Sequence, residues 1–232
     1  MLQSWFAWLP SWPWRITWVY LTLILFLPLS GMLLKAGAVG PAGFWEMATT
    51  PEALATYKVS FGVAALASLI NGVFGLLVAW VLVRYDFFGK KVVDALVDLP
   101  FALPTAVAGI SLTALLAGNG WIGQYLEPYG IQLAFNPNGV VIALIFIGLP
   151  FVVRTLQPVL HDLDPDIEDA AASLGATPAQ TFWQVTLPAL RPALAMAFTL
   201  AFARSVGEFG SVVFIAGNLP GKTEIAPLLV VG

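Results

Sequence analysis

Cysteine is absent from this chain, and histidine occurs once, at His161. The first absence excludes a disulfide scaffold and a thiolate metal site. The second leaves no HExxH pair and no Ser–His–Asp set, and His161 stands beside acids in a loop, where it is expected to be solvated. Charge is scarce too: Asp, Glu, Lys and Arg make up 10% of the residues, against about 25% in a soluble domain. The formal net charge of −3 gives no basic footprint for a nucleic acid. No positive n-region precedes the first apolar run, Ile16 to Leu34, and no small-x-small cleavage site ends it. That run is therefore expected to stay as a span rather than be removed as a signal peptide.

What the chain has instead is apolar surface. Hydrophobic residues make up 59% of it, where a soluble domain carries roughly 45–50%. A soluble fold of this length would bury a core, but it would have no water-compatible outside left; a bilayer removes that requirement. Tryptophan occurs nine times, with Trp5, Trp8, Trp12, Trp14 and Trp18 crowded at the N-terminus. Indole rings favour the headgroup level, so this cluster fits an interfacial anchor.

A helix needs about 20 apolar residues to cross the hydrocarbon. Five segments qualify, at 16–35, 59–83, 92–117, 139–160 and 189–216. Open sheets would leave unpaired backbone groups facing lipid. The expected fold is therefore all-α and membrane-integral, a polytopic helical bundle with about five spans. With alternating spans, Arg15, Arg84, Lys90, Lys91, Arg154 and Arg191 fall on one side and Lys35, Lys58 and Lys222 on the other. The first side, with the N-terminus, is then cytoplasmic. Loops at 36–58, 118–138 and after 217 lie outside; the turn 84–91 and the loop 161–188 lie inside. An odd number of spans leaves Gly232 outside just as a new apolar stretch, Ile225 to Val231, has begun. Two parts follow: an N-terminal segment 1–56 with the first span and its external loop, and a transmembrane core 57–232.

The loop 161–188 has the densest local signals. Asp164 is placed to cap a helix with Pro165 at its first position, and Asp166, Glu168 and Asp169 put negative charge at the positive end of its dipole. Gly175 supplies a left-handed stop. Thr177-Pro178-Ala179-Gln180 reads as a capping box, opening a second short helix that runs to about Leu187, before Pro188. Two short helices joined at a glycine make a rigid knob. Its small surface residues suit docking into a partner's cleft; a merely well-capped loop is the plainer reading.

Asp169-Ala170-Ala171, three residues, Gly175, nine residues, then Val185-Thr186-Leu187-Pro188 resembles the EAA loop of ABC-importer permeases, which reads E-A-A, three residues, G, nine residues, I-x-L-P. Asp169 stands for the usual Glu and Val185 for Ile, and Glu168 is a neighbouring source of the acid. The resemblance extends over 57–227, through FGLLVAWVLVRY (74–85), VDALVDLPFALPTAVAG (93–109), IGLPFVVRTLQ (147–157) and AFARSVGEFGSVVFIAGN (201–218), to the T-type permeases of bacterial sulfate/thiosulfate importers. Molybdate and tungstate permeases share the outline of these blocks. Asp98–Thr105 and Asn119–Gly123 look more like the sulfate branch. The resemblance implies a type I ABC-importer permease in the bacterial inner membrane. It implies that the loop is a coupling helix seated in an ATPase groove. The implied partners are a second homologous permease, two ATP-binding cassette ATPases that use the ATP, and an external sulfate-binding protein. It also implies a further, sixth span beyond the last residue here.

Two intramembrane features stand apart. Pro100 and Pro104 break the third span's hydrogen bonding, and Thr105, Ser111 and Thr113 follow, so this segment either lines a pathway or packs helices through small residues. Arg204 and Glu208, four residues apart in the fifth span, share a helix face. Intramembrane charge is costly unless paired or hydrated, so the pair either serves an anion pathway or locks the bundle. Asp94 is expected to pair with Lys90. Gly217–Thr223 resembles a P-loop, but it has three residues between its glycines instead of four, so no nucleotide is expected on this chain. A secondary transporter would need inverted repeats and internal ion-coupling acids; no clear repeat is visible, and Glu208 is the only deep acid.

Overall fold

The computed structural model describes residues 11–219 and 222–231, and every regular element among them is helical. Trp5 and Trp8 of the N-terminal cluster lie outside the described residues. The chain divides into two compact units, Met1–Pro51 and Glu52–Gly232.

The described part of the first unit is mainly one long apolar helix, α1, running from Ser11–Leu21 through a wide turn at Thr22–Phe26 into Leu27–Ala48. It extends well past the expected end at 35. Its single backbone break is at Gly40, with φ 74° and ψ 160°. The loop was expected because 36–58 falls between the apolar spans 16–35 and 59–83. Instead Gly40 absorbs the left-handed turn that a side chain would resist, and Pro41 restarts the helix at a position where its missing N–H costs nothing. The expected external loop 36–58 is therefore largely helical. Only Thr49 and Thr50 separate α1 from α2 (Pro51–Arg84).

The second unit is the bundle. Along α2 the buried positions Thr56, Ser60, Ala64, Ala67, Asn71, Gly75 and Ala79 recur at helical spacing, and all are small or polar. Small residues let backbones approach where lipid gives no hydrophobic drive between helices. Asn71 faces Gly148, and Gly75 lies against Val152, both on α7 (Pro137–Asp162). Asn136 caps α7 by accepting from the amides of Asn138 and Gly139 at 2.9 and 3.2 Å. His161 sits in its last turn, not in a loop, and its side chain is largely exposed.

The expected third span is not a kinked helix but a broken one: α3 (Lys90–Val97), α4 (Leu99–Ala102) and α5 (Thr105–Leu116). Leu103 and Pro104 both take ψ 135°, which is extended backbone. Residues before a proline are pushed out of the helical region, so Pro104 sets the break at Leu103 and then starts α5.

After the short α6 (Gly123–Leu126), α7 and α8 (Pro165–Ser173), α9 runs as one 29-residue helix, Pro178–Val206. The expected second short helix thus does not stop at Leu187. A wide turn at Phe182–Thr186, closed by Leu187 N–H to the Phe182 carbonyl, carries the chain past Pro188, which has no amide to place. At the other end α9 ends at Val206, ten residues before the expected end of the span. The short α10 (Val212–Ile215) and α11 (Ala226–Val231) complete the chain. Among the described residues four helices are long and apolar enough to cross a membrane, and the broken 90–116 segment takes the place of the expected third span.

The breaks in the third and fifth segments meet. A methyl group on Gly109 would overlap the backbone carbonyl of Ser211, and one on Gly210 would overlap the Thr105 hydroxyl. Gly109→Ala is expected to lower the stability of the detergent-solubilised protein by about 1–3 kcal/mol, the usual cost of overpacking. Gly62→Ala, on an open face of α2 with nothing nearby, is expected to cost nothing. Thermal melts of the two variants check the contrast.

Candidate functional site

The knob forms as its local signals dictate. The Asp164 carboxylate accepts from the Asp166 amide at 3.0 Å and Pro165 opens α8. The helix ends with Gly175 at φ 87°, whose amide donates to the Ala172 carbonyl at 2.9 Å. The capping box is complete: the Gln180 amide donates to Thr177 Oγ1 at 3.3 Å, and the Thr177 amide to Gln180 Oε1 at 2.8 Å.

Fastening of the knob is where sequence reading fell short. Glu168 Oε1 accepts from Thr186 Oγ1 at 2.9 Å and from Arg84 Nη2, at the end of α2, at 3.2 Å. The Arg84 guanidinium in turn lies over the Trp80 ring, 5.5 Å from its centroid, and Trp80 meets Phe182 edge-on at 5.7 Å. Under the knob is a cavity of about 280 Å³ lined by Trp80, Glu168, Asp169, Ala172, Ala176 and Phe182, among others. Of the two acids, Glu168 is therefore the internal latch, while Asp169 stays on the exposed face. Ala170 and Gly175 are exposed as well, and Ala171, Val185, Leu187 and Pro188 are half-buried. Leu174, apolar and 89% exposed, stands at the tip. Arg84 and Thr186 lie 84 and 18 residues from Glu168, so no local spacing marks them.

The intramembrane cluster is built on the paired breaks. Arg204, in the last turn of α9, pairs with Glu208 just past the helix end. Glu208 is only 1% exposed. Its other oxygen accepts from both the amide and the hydroxyl of Ser211, at 2.9 and 3.0 Å. The two residues are thus paired as expected, but not on one continuous helix: Glu208 caps the turn that leads into α10. Thr105 packs against this turn through Gly210, with Pro104 immediately before it. Ser111 is exposed on another part of α5 and is not brought to the cluster. Nearby on α2 and α9, Ser68, Asn71 and Ser205 are buried with no hydrogen-bond partner among the described residues.

Asp94 does not pair with Lys90. Lys90 bonds Asp86 at 2.9 Å, and Asp94 is taken by Arg154 of α7 at 2.6 Å. Arg154 also donates through Nε to Asp98 at 2.8 Å and through Nη2 to the Asp94 carbonyl at 2.9 Å. One planar guanidinium with five donors satisfies both acids at once, which the single ammonium of Lys90 would not do. In the P-loop-like stretch, the Thr223 hydroxyl is fully buried and accepts from the Leu219 amide at 2.9 Å; Pro220 and Gly221 lie outside the described residues.

Residues 71–226 match the family model described as binding-protein-dependent transport system inner membrane component. The chain is similar to the sulfate transport system permease protein CysT of Synechococcus elongatus, with 54% identity over 97% of this chain and 82% of the relative. It is likewise similar to the protein of that name in Synechocystis sp., 56% identical over 94% of this chain and 76% of the relative. For the one in Escherichia coli the figures are 49%, 91% and 76%.

Hydrogen bonds to a charged group contribute about 1.5–3 kcal/mol. Glu168→Ala is therefore expected to raise amide exchange across 165–187 roughly ten- to a hundredfold. Asp169→Ala is expected to leave it unchanged. Hydrogen-exchange mass spectrometry of the two variants separates the latch from the exposed acid.

Proposed function

The chain belongs to the family of binding-protein-dependent transport system inner membrane components, and from that premise we propose that it is the permease subunit of an ATP-driven sulfate or thiosulfate importer. The carrying observation is that relatives named as sulfate permeases match over more than nine-tenths of this chain, through the knob and both broken segments. The same names favour sulfate over molybdate or tungstate. Membership of a binding-protein-dependent family argues against an ion-gradient-driven carrier.

In this reading the core spans 57–232 and the coupling loop is 161–188. The protein is a multi-pass protein of the bacterial inner membrane, and its N-terminus and knob are cytoplasmic because Lys and Arg gather at that end. A second homologous permease completes the pore, an external sulfate-binding protein delivers the anion, and two ATPase subunits grip the two knobs. ATP is hydrolysed there, and this chain binds no cofactor.

Force enters through Glu168, Asp169, Ala170, Ala171 and Gly175, and passes through Val185, Leu187 and Pro188 into α9. At 1.5 Å per residue, α9 is a rod about 43 Å long. It links the knob directly to Arg204 and Glu208 without an intervening loop. Closure of the ATPases on nucleotide would therefore move the intramembrane turn in the same stroke. Arg204 is part-exposed and offers its positive charge to a dianion; Glu208, held by Ser211, keeps it aimed. Pro104 and Thr105 line the route on the facing segment, while Ser111, expected beside them, lies on another part of α5.

The test is uptake of labelled sulfate by bacteria lacking their own T-type permease but carrying this gene and its transporter partners. Uptake that requires ATP and resists excess molybdate is expected, and molybdate import in its place would overturn the substrate. Arg204→Met is expected to reduce uptake to background while the complex is still recovered intact. Wild-type uptake in that variant would remove Arg204 from the pathway.

A further inference from the structure

At the end of the bundle away from the knob, the chain does not leave α5 as a free loop. It folds straight back on the helix end. The Ile122 amide donates to the Leu115 carbonyl at 2.9 Å, and the Gly120 amide to the Ala117 carbonyl at 2.7 Å. A methyl group at Gly120 would overlap the Ala114 carbonyl, and one at Gly123 the Ala117 carbonyl. Both glycines are thus needed for an approach this close. The short helix α6 and the turn Glu127–Tyr129 after it are pinned at the level where the apolar span stops.

That pinned segment carries a row of rings. Trp121, Tyr125 and Tyr129, spaced by four residues, are 80%, 70% and 81% exposed. Trp121 lies in the turn before α6, Tyr125 within it and Tyr129 in the tight turn after it, so the three exposed rings follow one another along this short segment. Between Ala117 and Asn136 the only charged residue is Glu127. Its carboxylate is turned in against Gly118, beside a cavity of about 260 Å³. Apart from Glu127, which is exposed as a residue, the segment has no charge, and on the preceding α5 Val107 and Ile110 are exposed apolar residues as well.

We propose that Trp121, Tyr125 and Tyr129 form an interfacial ledge that rests in the headgroup–acyl boundary of the outer leaflet and fixes the depth of the broken third segment. The partner is a lipid surface, for three reasons. Trp and Tyr have an apolar body and a polar tip that suit that layer. A segment without Lys or Arg, whose one acid has its carboxylate against Gly118, carries little charge into that layer. The glycine-tight fold holds the row beside a lipid-facing helix instead of projecting it into water. Depth matters because the break at Leu103–Pro104 must meet the turn at Gly207–Ser211, and a segment of only 12 residues in α5 is too short to set its own depth by crossing the bilayer.

The proposal rests on the chain spanning the membrane. The full chain has no cysteine of its own, so Tyr125→Cys and, separately, Tyr129→Cys each take one nitroxide label. In vesicles of phosphatidylethanolamine and phosphatidylglycerol, each label is expected to collide several-fold more often with oxygen, which concentrates in lipid, than with a water-soluble nickel chelate. Labels at Val107→Cys and Leu174→Cys give the lipid and water references. Tyr125 and Tyr129 labels as wet as the Leu174 label would overturn the ledge. So would labels that leave water only when the external binding protein is added, which would assign the face to that protein. A Val107 label as wet as Leu174 would overturn the span along with the ledge, which distinguishes the two failures.

Discussion

Inside a bilayer no water is available to satisfy a broken backbone, so every interruption of a membrane helix has to be completed by protein. The second unit is organised around that constraint. Two of its membrane segments are interrupted, at Leu103–Pro104 and after Val206, and the interruptions lie against each other. Glu208 supplies acceptors for the Ser211 amide and hydroxyl, while Arg204 neutralises the carboxylate. Gly109 and Gly210 allow the contact by having no side chain. A buried carboxylate at this depth is tolerable because it has three hydrogen-bonding partners, and those partners exist because the helix stops there.

In the proposed mechanism the same arrangement offers Arg204 to a dianion. It also ties that arginine to the far end of a 29-residue helix that begins in the knob. The knob is held to α2 by Glu168 and Arg84 and to α9 by Thr186. In the proposed mechanism, a push on the knob is divided between two helices that both reach the buried core of Leu82, Val152, Leu156 and Leu190. Arg154, holding Asp94 and Asp98, ties the first part of the broken segment to α7 at the same end. The three anchors tie that end of the bundle together, and in the proposed mechanism the two breaks beyond it take up the motion.

Much of this was legible in the sequence wherever the physics is local. The caps at Asp164, Gly175 and Thr177–Gln180 depend on residues two to four apart, and the structure forms all three. Four of the five expected membrane helices followed from apolar length; the third is the broken one. Two kinds of feature were not legible. Partners far apart in the chain, such as Glu168 with Arg84 or Asp94 with Arg154, have no spacing to mark them, and the nearer Lys90 was a misleading substitute. Helix ends were the other kind. Glycine and proline mark where a helix can stop, but only packing decides whether it does. Gly37 to Gly43 looked like a loop and stayed helical; Gly207 looked like the interior of a span and ended it; Pro188 looked like a stop and was passed by a wide turn.

The central claim is that the knob at 165–187 is where another protein's motion enters this chain. Leu174, the exposed apolar tip, is its most direct reporter, and a chain without cysteine permits a single reactive site there. The measurement is site-directed crosslinking of Leu174→Cys in the assembled importer, with and without ATP. The account predicts a crosslink to the ATPase subunit whose yield changes with nucleotide. A Leu174 position that never links to the ATPase, in a complex that still transports sulfate, would contradict it.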